Sequence, residues 1–274
     1  MTTPPPHRAP TARRAVDAAS LYFLTLRTAV AAALNGSGTG IQVALMIVND
    51  VTWVGFWLGF AAISGEVRGW DGSRLLILES VLLVGGGTAL GFLGNARRLN
   101  ETITNGGLDS ILALPAAPLP QVLLRRVEVI FLTDIAFGLV LFMVVARPSI
   151  PQLLLFFLVC ALSTVVMTSI LLGVNSLAFV GLPARVSESA TQIILLFGAY
   201  PADLFGSTLR FALYVVLPMA FVTTVPAELI VDFSWRWLSA LVATAGISAS
   251  IATITFQRGL RRYTSGSLWH DQVG

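Results

Sequence analysis

The chain has 274 residues, 55% of them hydrophobic and only 11% charged, with a formal net charge of +3. Ordinary soluble domains carry about 25% charged residues, so this composition describes an integral membrane protein. The small, scattered positive charge excludes a nucleic-acid partner and instead encodes topology.

Residues 1–14, MTTPPPHRAPTARR, are proline-rich and basic. No apolar run ending in a cleavage site follows them, so they read as a disordered cytoplasmic tail rather than a secretory signal. Residues 15–34 come next. Leu21, Leu24 and Thr28, or Tyr22, Leu26 and Ala29, recur there at helical spacing before the break Asn35-Gly36-Ser37-Gly38. That pattern predicts an interfacial elbow helix lying in the headgroup plane.

Seven apolar segments follow, at about 41–63, 75–95, 127–146, 151–180, 189–206, 208–225 and 235–256. About 20 apolar residues cross the hydrocarbon core as a helix, and helices are the form in which such segments satisfy their own backbone in lipid. Arg8, Arg13, Arg14, Arg27, Arg97, Arg98, Arg125, Arg126, Arg185, Arg258, Arg261 and Arg262 fit one face of the membrane. Arg68, Arg74, Arg147, Arg210 and Arg236 fit the other. The arginine-rich face is the cytoplasmic one, which places both termini inside.

Two cytoplasmic ends require an even number of crossings, so one of the seven segments does not cross. The weakest is 208–225, preceded by GAYPADLFGSTLR and expected to break at Pro218 and Pro226. The predicted fold is therefore all-α: six spans, an N-terminal elbow, a cytoplasmic helix between spans 2 and 3, and an outer re-entrant element between spans 5 and 6. Residues 15–266 form one transmembrane domain, and 267–274 form a second cytoplasmic tail.

Acidic residues within spans usually face a bundle interior or a water-filled path, because a charge at the bilayer centre costs about 3 kcal/mol on insertion scales. Asp50 follows Asn49, and Trp53 and Trp57 share its helical face, so these four residues are a candidate substrate path. An interhelical hydrogen bond explains Asp50 equally well. Asp134 has no basic residue near it on its own helix and is expected to serve helix packing. Glu79, near the outer end of the second span, is expected to be solvated. Gly87 and Gly91 form a GxxxG pair suited to close helix contact.

No GxxxxGK[ST] loop is present, both histidines lie in the tails, and the lone cysteine is Cys160. The chain is thus expected to bind no cofactor or metal and to be no enzyme by itself. The segments outside the spans are also too short to bury an independent core, which places any nucleotide-hydrolysing machinery on another chain.

The loop between spans 2 and 3, ITNGGLDSILALPAAPLP, is flanked by Arg97 and Arg98 on one side and Arg125 and Arg126 on the other. Asp109 is expected to cap a short helix, Leu108, Ile111 and Leu112 to form its apolar face, and Pro115 to end it. Such a knob suits the groove of a partner subunit.

This loop, the later GAYPADLFGSTLRFALYVVLPMAFVTTVPAELI and the closing GLRRYTSGS resemble the permeases of type-2 ATP-binding cassette exporters, in a six-span bacterial subfamily. The resemblance runs from about residue 20 to 266. Gly107, Leu108, Asp109, Leu112 and Pro115 match the coupling segment, and Tyr200, Pro201, Pro218 and Pro226 match the outer region. It implies two permeases, identical or homologous, assembled with two cytoplasmic ATPase subunits that hold ATP and Mg, in the bacterial inner membrane. It also implies coupling through Gly107, Leu108, Asp109, Ile111, Leu112 and Pro115, and a path between the two copies along the first, second and fifth spans. The expected cargo is a hydrophobic or amphipathic compound such as a drug, natural product or lipid. The alternative is a proton-coupled secondary transporter using Asp50 and Asp134, although no internal repeat of the kind common in such proteins is evident.

Overall fold

The computed structural model describes residues 12–34, 38–114 and 116–263. Its described residues are helical, with one isolated bridge between Val67 and Trp70 in place of any strand. The elbow is α1 (Ala12–Leu34), which stops at the Asn-Gly-Ser-Gly break, as predicted. Tyr22, Leu26 and Ala29 are half-buried while Phe23, Leu24 and Thr28 are exposed, so the second of the two predicted stripes faces protein.

Four helices are long and apolar enough to cross a membrane: α2 (Thr39–Ser64), α3 (Gly72–Gly91), α8 (Ile150–Asn175, continuing as a tighter 3-10 turn through Val180) and α12 (Trp235–Leu260). Two further helices are shorter, the apolar α7 (Ile130–Ala146) with 17 residues and α9 (Ala184–Gly198), polar in its first half, with 15. At about 1.5 Å per residue they rise about 25 and 22 Å, against about 30 Å of hydrocarbon. The predicted segment 189–206 is displaced in the structure. The helix begins at Ala184 behind Pro183, which puts Arg185 in its first turn rather than in a loop. It ends before Tyr200-Pro201, because a residue preceding proline is pushed out of helical geometry.

The core lies around α3. Leu75 to Val81 are all buried, and α7, α8 and the later helix α11 pack against it. Glycine makes these approaches possible. A Cβ at Gly87 would sit 3.0 Å from the Phe131 carbonyl oxygen of α7, and one at Gly85 would sit 2.8 Å from Ser163 Oγ of α8. The predicted Gly87/Gly91 pair therefore faces α7. Residues Leu82–Gly86 wind as a π turn, which leaves carbonyls unpaired by the helix itself. The Gly85 carbonyl accepts from Thr164 Oγ1 at 2.9 Å, so this irregular backbone is covered by protein rather than lipid.

A tight turn joins α7 to α8. Arg147 takes a left-handed conformation (φ 44), and Ser149 with Gln152 forms a capping box ahead of Pro151. Phe142 and Phe156 then stack across the hairpin with ring centroids 3.9 Å apart. The last helix, α12, buries Leu241, Ala245, Ala252 and Phe256 as one stripe against α8 and leaves its other faces exposed.

Between spans α2–α3 and α7 run three short helices: α4 (Leu99–Thr104), α5 (Gly107–Leu112) and α6 (Pro118–Leu124). Between α9 and α12 come α10 (Ser207–Val216) and α11 (Thr224–Val231). These two replace the single expected element of 208–225. The chain breaks at Pro218, but Pro226 is the third residue of α11, where its missing N–H costs no helical hydrogen bond. The second limb is the more enclosed, with Met219 to Ala227 buried.

Candidate functional site: the arginine-rich end and the α2 track

Glu128, just ahead of α7, gathers the start of the α4–α6 loop. Arg97 bonds its Oε2 at 2.5 Å and Arg98 its Oε1 at 2.9 Å. Asn95 Nδ2 donates to the carbonyls of Leu123 and Arg126, both at 3.1 Å. Asn100 Nδ2 donates to the Leu182 carbonyl at 3.1 Å, at the far end of α8. The loop is therefore fastened at several points to the spans it joins.

Within it, α5 departs from the predicted knob. Its N-cap is Gly106, in a left-handed conformation (φ 69), and Asp109 lies inside the first turn instead of capping. A residue with φ near +69 favours glycine because a Cβ would clash with the backbone there. The expected apolar face divides. Leu108 (0% exposed) and Ile111 (2%) point inward to pack with Leu99, Ile103 and Val122, whereas Leu112 (39%) faces outward. Leu114 (41%) lies beside it and was missed by sequence reasoning, although the second leucine of LALP was the available signal. Gly107 is half-buried, and a Cβ on it would meet the Thr102 carbonyl oxygen at 3.3 Å. Pro115 lies outside the described residues.

On α2, the residues Asn49, Asp50, Trp53 and Trp57 are separated by depth. Asn49 is exposed and Trp53 half-buried, while Asp50 and Trp57 are each 1% exposed. Asn49 Nδ2 approaches Asp50 Oδ1 at 3.5 Å, whereas Asp50 Oδ2 has no hydrogen-bond partner among the described residues. Trp57 Nε1 donates to Glu79 Oε2 at 3.3 Å. Glu79, expected to be solvated, is in fact buried, because the indole of α2 supplies a donor inside the bundle. Asp134 is buried on α7 against Gly87 and interacts electrostatically with both Asp50 and Glu79. The structure thus brings three intramembrane carboxyls into one neighbourhood between α2, α3 and α7. Tyr200 closes the half of this track away from the arginine-rich end, with ring centroids 6.1 Å from Trp53 and 5.7 Å from Trp57.

A cavity of about 770 Å³ opens at the arginine-rich end, walled by Ala29 and Ala32 of α1, by α2 from Thr39 to Asn49, and by Arg98 and residues 125–130. Arg68 and Arg210 share a second cavity of about 580 Å³ at the other end. The two sets of arginines assigned to opposite faces thus supply separate sites.

The family model described as ABC-2 family transporter protein matches residues 46–267. The chain belongs to the ABC-2 transporter family. No curated protein matches the chain, and no solved structure does. It is a permease, the membrane subunit of an ATP-binding cassette transporter, and its class of subunit associates with an ATPase partner. The matched region holds both the α2 track and the α4–α6 loop. In this permease the second span, α3, is enclosed by its neighbours, so of the three spans that the resemblance assigns to the path, α2 and α9 retain exposed apolar faces.

Proposed function

We propose that the permease forms half of the membrane pathway of an ATP-driven exporter for a hydrophobic or amphipathic compound, in the bacterial inner membrane. Two copies, or this chain and a homologous permease, pair with two ATPases that carry ATP and Mg. The arginine-rich end faces the cytoplasm, and six crossings leave α10 and α11 on the outside as the re-entrant element. The observation that carries the reading is the form of the α4–α6 loop. It is held to the bundle through Glu128, Asn95 and Asn100, yet it exposes Leu112 and Leu114 at its tip. A loop so fastened transmits a push on α5 to α7 and α8 instead of absorbing it. Gly107, Leu108, Asp109, Ile111, Leu112 and Pro115 make up the coupling segment, in which Leu108 and Ile111 are anchors and Leu112 is the contact.

The exposed side of α2 supports a paired permease. This helix buries only Asp50 and Trp57, and Gly55 and Gly59 form a GxxxG pair at which an added Cβ would meet nothing within 4 Å. Small residues at that spacing allow close helix approach within a membrane. A path between two copies would then be lined by α2, with Asn49 at its inner rim and Asp50, Trp53 and Trp57 deeper.

Crosslinking tests the pairing. Cys160 is buried, so Gly59→Cys supplies the accessible thiol. In membranes treated with a short bis-maleimide, Gly59→Cys is expected to give a band near twice the 29.2 kDa chain mass. The same treatment of Ser250→Cys, exposed on α12, should give none. If the doubled band is absent from Gly59→Cys, α2 does not line a pair of identical permeases.

A further inference from the structure

The cavity at the arginine-rich end has a chemistry that the reading above leaves open. Its headgroup-level wall is cationic. Arg98 is engaged by Glu128, and Arg125 Nη1 donates to Ser110 Oγ at 3.0 Å and the Gly107 carbonyl at 3.4 Å. Arg126 is exposed, and its guanidinium has no ion pair or hydrogen bond among the described residues. Glu128 is the carboxylate that lines this cavity and is already shared by Arg97 and Arg98, while Glu101 lines an adjoining cavity with the same three arginines. Leu45, Met46, Val127, Val129 and Ile130 make an apolar part of the lining beside Asn49. The volume, about 770 Å³, lies within the span of about 300–1,000 Å³ typical of small-molecule sites.

Guanidinium groups recognise phosphate through charge-assisted, often bidentate hydrogen bonds. An apolar wall beside them suits a hydrocarbon chain, which has no hydrogen bond to lose there. A cavity cationic at one end and apolar at the other complements an amphiphile, and its mouth lies beside α1, the helix read as lying at the membrane surface. We infer that this cavity binds an amphiphile with an anionic phosphate head, seated on Arg126 and Arg125 with its chain against Leu45 and Met46. This inference rests on the export reading and narrows its cargo class. Arg125 also joins the site to the coupling helix, because the guanidinium that meets the head holds Gly107 and Ser110 of α5.

The test uses the purified full-length permease in detergent, titrated with dioleoyl phosphatidic acid, dioleoyl phosphatidylcholine or inorganic phosphate, with bound lipid read by native mass spectrometry. Phosphatidic acid should bind at least about tenfold more tightly than phosphatidylcholine, because its head is net anionic whereas the choline cation of phosphatidylcholine offsets the phosphate charge and meets the same guanidiniums. Arg126→Gln should erase most of that preference, whereas Arg126→Lys should retain part of it. Met46→Trp, which fills the apolar wall, should weaken phosphatidic acid binding without changing the gel-filtration profile. The inference is overturned if the two lipids bind equally, if Arg126→Gln and Met46→Trp leave phosphatidic acid binding unchanged, or if inorganic phosphate competes as well as the lipid. Co-purification with the ATPase is independent of these readouts. Failed lipid binding with the complex intact would remove only the phosphate-head assignment, whereas loss of the complex would remove the export reading.

Discussion

Leu112→Asp is expected to abolish co-purification of the permease with its ATPase and to uncouple substrate from ATP hydrolysis. The side chain is 39% exposed at the end of α5, so in the isolated permease aspartate meets water and folding is undisturbed. Inside a partner's apolar groove the same carboxylate would be desolvated without a counter-charge. Truncating a central interface residue costs about 2 kcal/mol or more, which weakens binding about 30-fold. A charge placed there should cost more. Leu108→Asp makes the informative contrast: Leu108 is fully buried under α5, so that variant is expected to fail at folding and lose its gel-filtration peak. If Leu112→Asp folds, retains the ATPase and couples normally, α5 is not the contact.

The second large effect is expected from Gly138→Leu. A Cβ at Gly138 would lie 2.7 Å from Leu83 Cβ and 3.1 Å from the Ser80 carbonyl oxygen, and Ser80 and Leu83 belong to the enclosed helix α3. No rotamer relieves a clash with backbone, so α7 must move away from α3. It would carry Asp134 and the Gly87 contact with it. Overpacking in a tight core costs about 1–3 kcal/mol and occasionally more, and here a large aliphatic side chain is placed where none fits. The thermal midpoint followed by fluorescence-detected gel filtration should fall sharply, or the folded peak should vanish. Gly246→Ala on α12 has nothing within 4 Å of its Cβ and should leave that midpoint unchanged or slightly higher. Equal midpoints for Gly138→Leu and the native chain would show that α3 and α7 are not packed as described.

Other helices show how much could be read beforehand. Long uninterrupted runs such as LLLFFLVCALSTVVM carry their own evidence for a span, and both the elbow and its Asn-Gly-Ser-Gly stop were legible because glycine and asparagine end helices locally. The start of α9 was not legible. Ser187 read as loop and Thr191 as the first turn of a span beginning at 189, yet Ser187 Oγ donates to Asn175 Oδ1 at 2.6 Å and Thr191 Oγ1 accepts from Asn175 Nδ2 at 3.3 Å. Polarity that looks like solvent exposure along the chain is satisfied across the bundle. Glu79 misled for the same reason, since its donor, Trp57, is 22 residues away. The α4–α6 loop was legible from its prolines and flanking arginines, but which of its leucines face inward depends on α4 and α6, and the spacing within α5 carries no record of them.

The widened turn at Leu82–Gly86 bears on how this chain should be aligned with others. A π turn accommodates one residue more than an α-helical turn, and one residue is worth about 100° of rotation. The extra position is what lets the first half of α3 aim Glu79 at Trp57 while the second half aims Gly87 at α7. In effect the glycine run Gly85-Gly86-Gly87 contains a single-residue insertion absorbed without a loop. A related chain one residue shorter at this point can preserve the carboxyl–indole contact or the glycine seam, but not both, so a lone gap there marks a change of partners around the central helix.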